Sequence, residues 1–233
     1  MKTIGIIGAM EPEISVFKSH MEIISAKQIA GVSFTMGKMS GKNTVVACSR
    51  AGKVNAAISA QVLIDLYAVD YIICTGVAGA VSADVEVCDV VIASDLVQHD
   101  FDGTAYGDPI GVNSSLTESF FKADEALIAI AKEACAAVLP EARKVHVGRF
   151  ATGDQFIAGA EAKQRIWSHF KALCVDMESA AVAQVCFLNK IPFAAVRAIS
   201  DRADAEAPAV FNQCLKPACD AAGAVVETML GLI

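Results

Sequence analysis

An α/β fold in a single domain is what this sequence predicts, and three observations predict it. Short apolar runs such as TIGIIGA, YIICT and FAAVRAI carry almost no charge, as strands buried on both faces do. Segments of helical character separate them, and the alternation of the two is the pattern of βα units. The chain has 233 residues and 55% hydrophobic content, enough for one full core, and nothing along 1–233 reads as a hinge between two domains.

Taken in order, Thr3 to Ala9 reads as a first, central strand bounded by glycine. Pro12 suits the first turn of a following helix, and Glu11 and Glu13 suit its positive end. That role is enough for Glu11. Glu13 also lies just past the carboxyl end of the strand, where open α/β sheets bind their ligands, so it is a candidate site acid. Val32 to Met36 and Asn43 to Ser49 read as a hairpin or meander joined by Gly37 to Lys42. Ser49-Arg50-Ala51-Gly52-Lys53 is a glycine turn opening a helix to about Tyr67, without the spacing of a phosphate loop. Tyr71 to Thr75 is a buried strand ending in a glycine-containing stretch, Thr75 to Ala80. Those glycines allow close approach of a ligand or another strand, but Ser82, Ala83 and Asp84 do not complete a dinucleotide fingerprint.

Cys88 to Asp95 is the next strand. His99, with Asp100 and Asp102, reads as a loop hydrogen-bond network. No other histidine sits at ligand spacing, so no metal site is expected. Gly103 to Asn113 is a loop able to cover a site, with Tyr106 as a stacking aromatic. Ala123 to Val138 is an amphipathic helix and Val145 to Ala151 a strand. Phe156 follows it, either as core or as the face for a planar ligand. Val210 to Leu230 closes the chain as a helix.

The most chemically loaded stretch runs from Val175 to Asp204. Asp176 and Glu178 end one apolar strand (Leu173 to Val175), and a small-residue helix from Ser179 follows. After Pro192 a second strand, Phe193 to Ile199, carries a single charge, Arg197, and ends at Ser200 and Asp201. A structural reading has Glu178 capping its helix and Asp201 paired with Arg197 or Arg202. Two acids at the mouths of neighbouring apolar strands, with an arginine inside one, are costly to bury without function. Glu178 and Asp201 are therefore expected to converge on one crevice.

The net charge of −7 and the lack of a Lys/Arg cluster argue against nucleic-acid or membrane partners and for a small-molecule ligand. Met1 to Met10 lacks the pattern of a signal peptide, and no apolar run is long enough for a membrane span. A cytoplasmic protein is expected, its 8 cysteines buried as thiols without metal or disulfide spacing.

Seven segments in order together resemble the 5′-methylthioadenosine/S-adenosylhomocysteine nucleosidases of the nucleoside phosphorylase superfamily. They are IGIIGAMEPEI (4–14), GKVNAA (52–57), TGVAGA (75–80), HDFD with TAYG (99–107), ATGDQFI (151–157), VDMESAA (175–181) and VRAISDRAD (196–204). The resemblance implies a three-layer α/β/α domain with a twisted mixed central sheet, no cofactor, and a homodimer acting on an adenine nucleoside. It assigns Asp201 as the acid for the purine, Glu13 as the base for water and Glu178 to the ribose hydroxyls. Phe156 and the Ile157 backbone would hold adenine, Met177 would lie under the ribose, and Met10 and Phe211 would line the 5′-thio end. Asp176, Arg197 and Ser200 fall among the binding residues, and Tyr106 matches an aromatic lent across the dimer interface. Four departures stand out. Val77 replaces a serine that holds the nucleophilic water, and Ala51 replaces an isoleucine at the 5′ substituent. Asp176 replaces a glutamate, and the loop after Tyr106 lacks the usual proline-glycine pattern. A purine nucleoside phosphorylase and a non-catalytic nucleoside-binding protein are the competing readings. The first would need arginines near strand one and the Gly52 turn, where the chain has Glu13 and only Arg50.

Overall fold

A computed structural model describes residues 2–233. Its ten strands form one mixed sheet. The first five are β1 (Thr3–Gly8), β2 (Glu22–Ile29), β3 (Val32–Met39), β4 (Lys42–Cys48) and β5 (Tyr71–Ala80). The others are β6 (Val90–Gln98), β7 (Phe120–Lys122), β8 (Val145–Thr152), β9 (Cys174–Asp176) and β10 (Phe193–Asp201). The helices are α1 (Glu11–His20), α2 (Lys53–Tyr67), α3 (Glu125–Val138), α4 (Ala160–Phe170), α5 (Ser179–Asn189) and α6 (Ala207–Leu232).

Alternate strand residues face opposite layers, the period of two expected of a pleated strand. Val45 and Ile72 pack with Ala56, Ala60 and Leu63 of α2 and Ala180 to Ala183 of α5. Val46 and Ile73 pack on the other face with Ile14 and Phe17 of α1, Leu127 of α3 and Val225 and Met229 of α6. Each such Ile or Leu contributes about 1.5–3 kcal/mol by leaving water. The result is the α/β/α sandwich expected.

β5 is the hinge of the sheet. It pairs parallel with β1 (Ile7 opposite Cys74) and with β10 from Phe193–Ile72 to Asp201–Gly79. At its far end it pairs antiparallel with β9, Gly79 opposite Val175. Since β10 pairs with β6, β6 with β8 and β8 with β9, these five strands close into a ring. β9 and β10 are thus not the adjacent parallel pair the sequence suggested: β5 lies between them, and β9 runs antiparallel to it.

The strand expected over Tyr71 to Thr75 runs on through the glycines to Ala80. Gly76, at φ +141°, keeps the strand going where a Cβ would lie 2.2 Å from Glu13 Oε1 and 2.3 Å from Arg197 Nη1. At Gly79 a Cβ would lie 2.9 Å from Asp201 Oδ1. The glycines leave room for two groups of site side chains.

Candidate active site

Three of the segments expected to carry acids deliver them to one place. Glu13, at the third position of α1, turns its carboxylate back over the helix start. Oε2 accepts from the backbone N–H of Ala9 (2.7 Å) and Met10 (2.9 Å), and Oε1 accepts from that of Val77 (3.0 Å). Glu178 ends the turn after β9. Its Oε1 accepts the Gly52 N–H (3.0 Å) and its Oε2 a bond from Arg197 Nη2 (3.4 Å). Asp201 closes β10. It accepts from the Ala203 N–H (2.9 Å) and the Ser200 hydroxyl (2.8 Å). Relative exposures of 2%, 5% and 2% put all three out of bulk water.

Arg197 is the largest fully buried side chain, and burying a lone guanidinium costs several kcal/mol. Acids on three elements compensate it: Asp176 Oδ2 at 3.0 Å, Glu178 Oε2 at 3.4 Å and Glu13 Oε1 at 3.8 Å, with the Thr75 carbonyl accepting at 2.8 Å. Asp201 is not among them, and Arg202 pairs with Glu86 instead, so neither expected structural pairing of Asp201 forms. Nor does Glu178 cap α5 with its side chain.

The surroundings set the protonation. Burial pushes Glu178 up to about 7, with Arg197 opposing and Asp176 adding to the rise. Burial also raises Glu13, against Arg197 and the three backbone N–H groups. Asp201 is raised by burial against the Ala203 N–H and the Ser200 hydroxyl.

The three acids open onto a cavity of about 240 Å³. Of the residues expected from the sequence, Met10, Glu13, Ala51, Val77, Phe156, Ile157, Asp176, Met177, Glu178, Ser200, Asp201 and Phe211 line it. Phe156 is half-exposed and meets Phe211 edge-on at 5.7 Å, so it is wall rather than core.

Two expectations need correction. Arg197 does not reach the wall; it stands behind the carboxylates, whose charge offsets its own at that depth. Asp176 reaches the wall, but its carboxylate is engaged by Thr152 Oγ1 (2.5 Å), Ser179 Oγ and Arg197 Nε (3.0 Å). Tyr106, expected to serve a partner's site and not its own, is 93% exposed in a 3-10 turn (Thr104–Tyr106), away from its own chain's cavity. Sequence reading missed Ala9, Ala78, Gly79, Gln155 and Val175 on the wall, each within two residues of one it had singled out. It also missed Thr152 and Ser179, small hydroxyls whose importance appears only once Asp176 and Arg197 are placed. Among the described residues no cluster of His, Cys, Asp and Glu is arranged to hold a metal ion.

A twisted mixed sheet with acids gathered around an apolar cavity at the end of β5 defines a class, and the family description "Phosphorylase superfamily" matches residues 3–231. The chain is a member of that superfamily. Within it, the similarity narrows. The chain is 38% identical over 231 residues, 99% of each chain, to a 5′-methylthioadenosine/S-adenosylhomocysteine nucleosidase of Marinomonas sp.. It superposes at a TM-score of 0.96, with 36% identity and all of both chains covered, on the Neisseria meningitidis nucleosidase of that name in complex with methylthio-immucillin-A. A futalosine hydrolase of Helicobacter pylori superposes at 0.94, with 32% identity over 100% of this chain and 98% of that one. The chain belongs to the 5′-methylthioadenosine/S-adenosylhomocysteine nucleosidase family.

Proposed function

We propose that this chain hydrolyses the N-ribosidic bond of 5′-thio-substituted adenosines, 5′-methylthioadenosine and S-adenosylhomocysteine, to adenine and the 5′-thioribose. One observation carries the reading. Four buried acids lie at one apolar cavity; three share the Arg197 guanidinium, and Asp201 alone is held by neutral donors.

Adenine is a good leaving group only as the neutral base, so its N7 needs a proton as the bond breaks. Asp201, raised by burial, supplies it. The ribosyl group then gains oxocarbenium charge. Glu178 receives the ribose hydroxyls and stabilises that cation, its own carboxylate kept available by Arg197 and the Gly52 N–H. Glu13 Oε1, with Val77 N–H as its one protein donor, orients and deprotonates the attacking water. Adenine stacks on Phe156 beside the Ile157 backbone, and Met177 lies under the ribose. Met10, Ala51 and Phe211 receive the 5′ substituent, and Ser200 steers Asp201. Asp176 and Arg197 act by positioning.

Phosphate as nucleophile is disfavoured. None of the described residues lining the cavity is a Lys or Arg, and Glu13 and Glu178 would repel the anion. The deciding experiment measures adenine release from 5′-methylthioadenosine, S-adenosylhomocysteine, 5′-deoxyadenosine and aminodeoxyfutalosine, each with and without phosphate. Phosphate-independent adenine and a free sugar are expected. A sugar 1-phosphate would make the chain a phosphorylase, and no adenine would make it a binder.

A second copy of the chain belongs to the same reading. On neighbouring α2 and α5, Val54, Ile58, Phe187 and Leu188 leave an apolar face exposed, and Tyr106 stands clear of its own site. This supports a homodimer in which Tyr106 completes the partner's 5′ pocket. Tyr106→Ala should then raise KM without unfolding the chain. No described helix is long and apolar enough to cross a membrane, and eight unbridged thiols accord with a reducing cytoplasm. Five of them are buried; Cys48, Cys88 and Cys214 are partly exposed, contrary to the expectation that all are buried.

A further inference from the structure

The start of α2 is built against its own interest. Its N-cap, Gly52, has no side chain with which to cap, its first turn holds no acid, and its first residue is a lysine, the charge that a helix N-terminus disfavours. Each of these is made good from elsewhere in the chain. The Gly52 N–H goes to Glu178 Oε1 (3.0 Å) and the Lys53 N–H to Asp154 Oδ1 (2.8 Å). Lys53 Nζ goes to Asp100 Oδ1 at 2.6 Å, with both side chains four-fifths buried. The other oxygen of Asp100 accepts the Asp154 N–H (2.9 Å). Asp154 directly precedes Gln155, Phe156 and Ile157, the purine side of the cavity. Next to Asp100, His99 is buried with its Nε2 unpartnered, and it fills the space where a Cβ on Gly153 would lie, 2.4 Å from that nitrogen. The loop after β8 is thus clamped by His99 and Asp100 and, through Lys53, tied to the turn that holds Glu178.

We infer that Lys53 and Asp100 form a positioning latch, coupling the purine wall at Phe156 to the Gly52 N–H that holds the ribose acid Glu178. The inference rests on the hydrolytic reading above for the roles of Phe156 and Glu178. The latch touches no reacting atom; it acts by placing Gly52. The charged groups facing Glu178 are Arg197 from β10, Asp176 from β9 and Glu13 from α1, and the Gly52 N–H is what α2 contributes. Freeing that N–H removes a donor that favours the Glu178 carboxylate, so the pH at which Glu178 ionises rises.

The test is the pH profile of kcat/KM for 5′-methylthioadenosine in the full-length chain and in Lys53→Met, Asp100→Asn and Lys53→Arg. The latch predicts that Lys53→Met and Asp100→Asn each lower kcat/KM about tenfold, the loss typical of a largely buried charged hydrogen bond. Both move the acid limb to higher pH, while Lys53→Arg stays within a few-fold of wild type. Long-range charge alone predicts opposite shifts, since one substitution removes a positive charge and the other a negative one. Opposite shifts, or no shift, overturn the inference. If Lys53→Met does not fold, Asp100→Asn decides by the same direction. A second readout needs no substrate: hydrogen exchange at the Gly52 and Asp154 amides should speed up about tenfold in Asp100→Asn. If wild type releases no adenine, the hydrolytic reading fails while the exchange rates still judge the latch, and unchanged exchange rejects it.

Discussion

Glu178 and Asp201 meet the same cavity from the ends of two of the strands that pair with β5, yet their surroundings differ in kind. Glu178 sits in a charged cluster with Arg197, Asp176 and Glu13, whereas Asp201 is hydrogen-bonded by a backbone N–H and a serine hydroxyl, and the charges that act on it, Asp204 and Lys163, make no ion pair with it. A nearby cation favours the charged form of an acid, while burial among neutral groups favours the protonated form. One cavity can therefore offer a carboxylate to a growing cation and a proton to a leaving base, and the arginine's placement decides which acid does which. β5 divides the two environments, with Gly76 making room for the cluster and Gly79 for Asp201.

The largest effect should come from removing the lone acid. Asp201→Asn is expected to cut turnover of 5′-methylthioadenosine by about a thousandfold while the chain folds and still binds the nucleoside. Because burial raises Asp201 in the folded state, its contribution to stability is present below the ordinary Asp value and lost as pH rises through the raised one. Asn avoids that loss, so the variant should melt at a higher temperature than wild type at neutral pH. An equal or lower melting temperature would place Asp201 among the ionised acids.

Next is Glu178→Gln, expected to cost about a hundredfold in kcat. In wild type, activity should rise with pH as Glu178 ionises near about 7, and that limb should vanish in the variant; a limb that persists belongs to another group. The paired glycines divide the comparison spatially. Gly76→Ala forces a Cβ into the Glu13–Arg197 contact at a positive φ and should destabilise the fold by about 3 kcal/mol, read by denaturant unfolding. Gly79→Ala displaces Asp201 and should lower kcat more than stability. The smallest change is Val77→Ser, which restores the hydroxyl implied by the resemblance; a few-fold gain in kcat at unchanged KM would mark the water site, and no gain would leave it with Glu13 alone.

Much of this was legible from residue order. The helix from Lys53 to Tyr67 followed from Gly52, and β10 was visible as an apolar run with one arginine too costly to bury idle. The three acids stood out for the same reason. What was hidden depends on contacts between distant segments. The antiparallel pairing of β5 with β9 closes the ring, and no local pattern announces it, so the strand was expected to end at Thr75 and not at Ala80. β2 escaped because most of its side chains face solvent, and β7 because it has three residues. Arg197 was expected both to temper the repulsion among the acids and to help position water or ribose, and its charge is taken up by three acids behind the wall. The Lys53–Asp100 pair joins residues 47 apart and has no signature in either segment.

The most direct test of the division of labour removes the need for a proton. The 4-nitrophenyl glycoside of 5-methylthioribose expels 4-nitrophenolate, a leaving group that needs no proton, as water adds at C1, so its cleavage depends on Glu178 and Glu13 but not on Asp201. Its hydrolysis rates by wild type and Asp201→Asn should agree within a few-fold, although the variant barely cleaves 5′-methylthioadenosine. If Asp201→Asn loses both activities equally, Asp201 is not the general acid and the contrast between the two carboxylates is not the basis of catalysis.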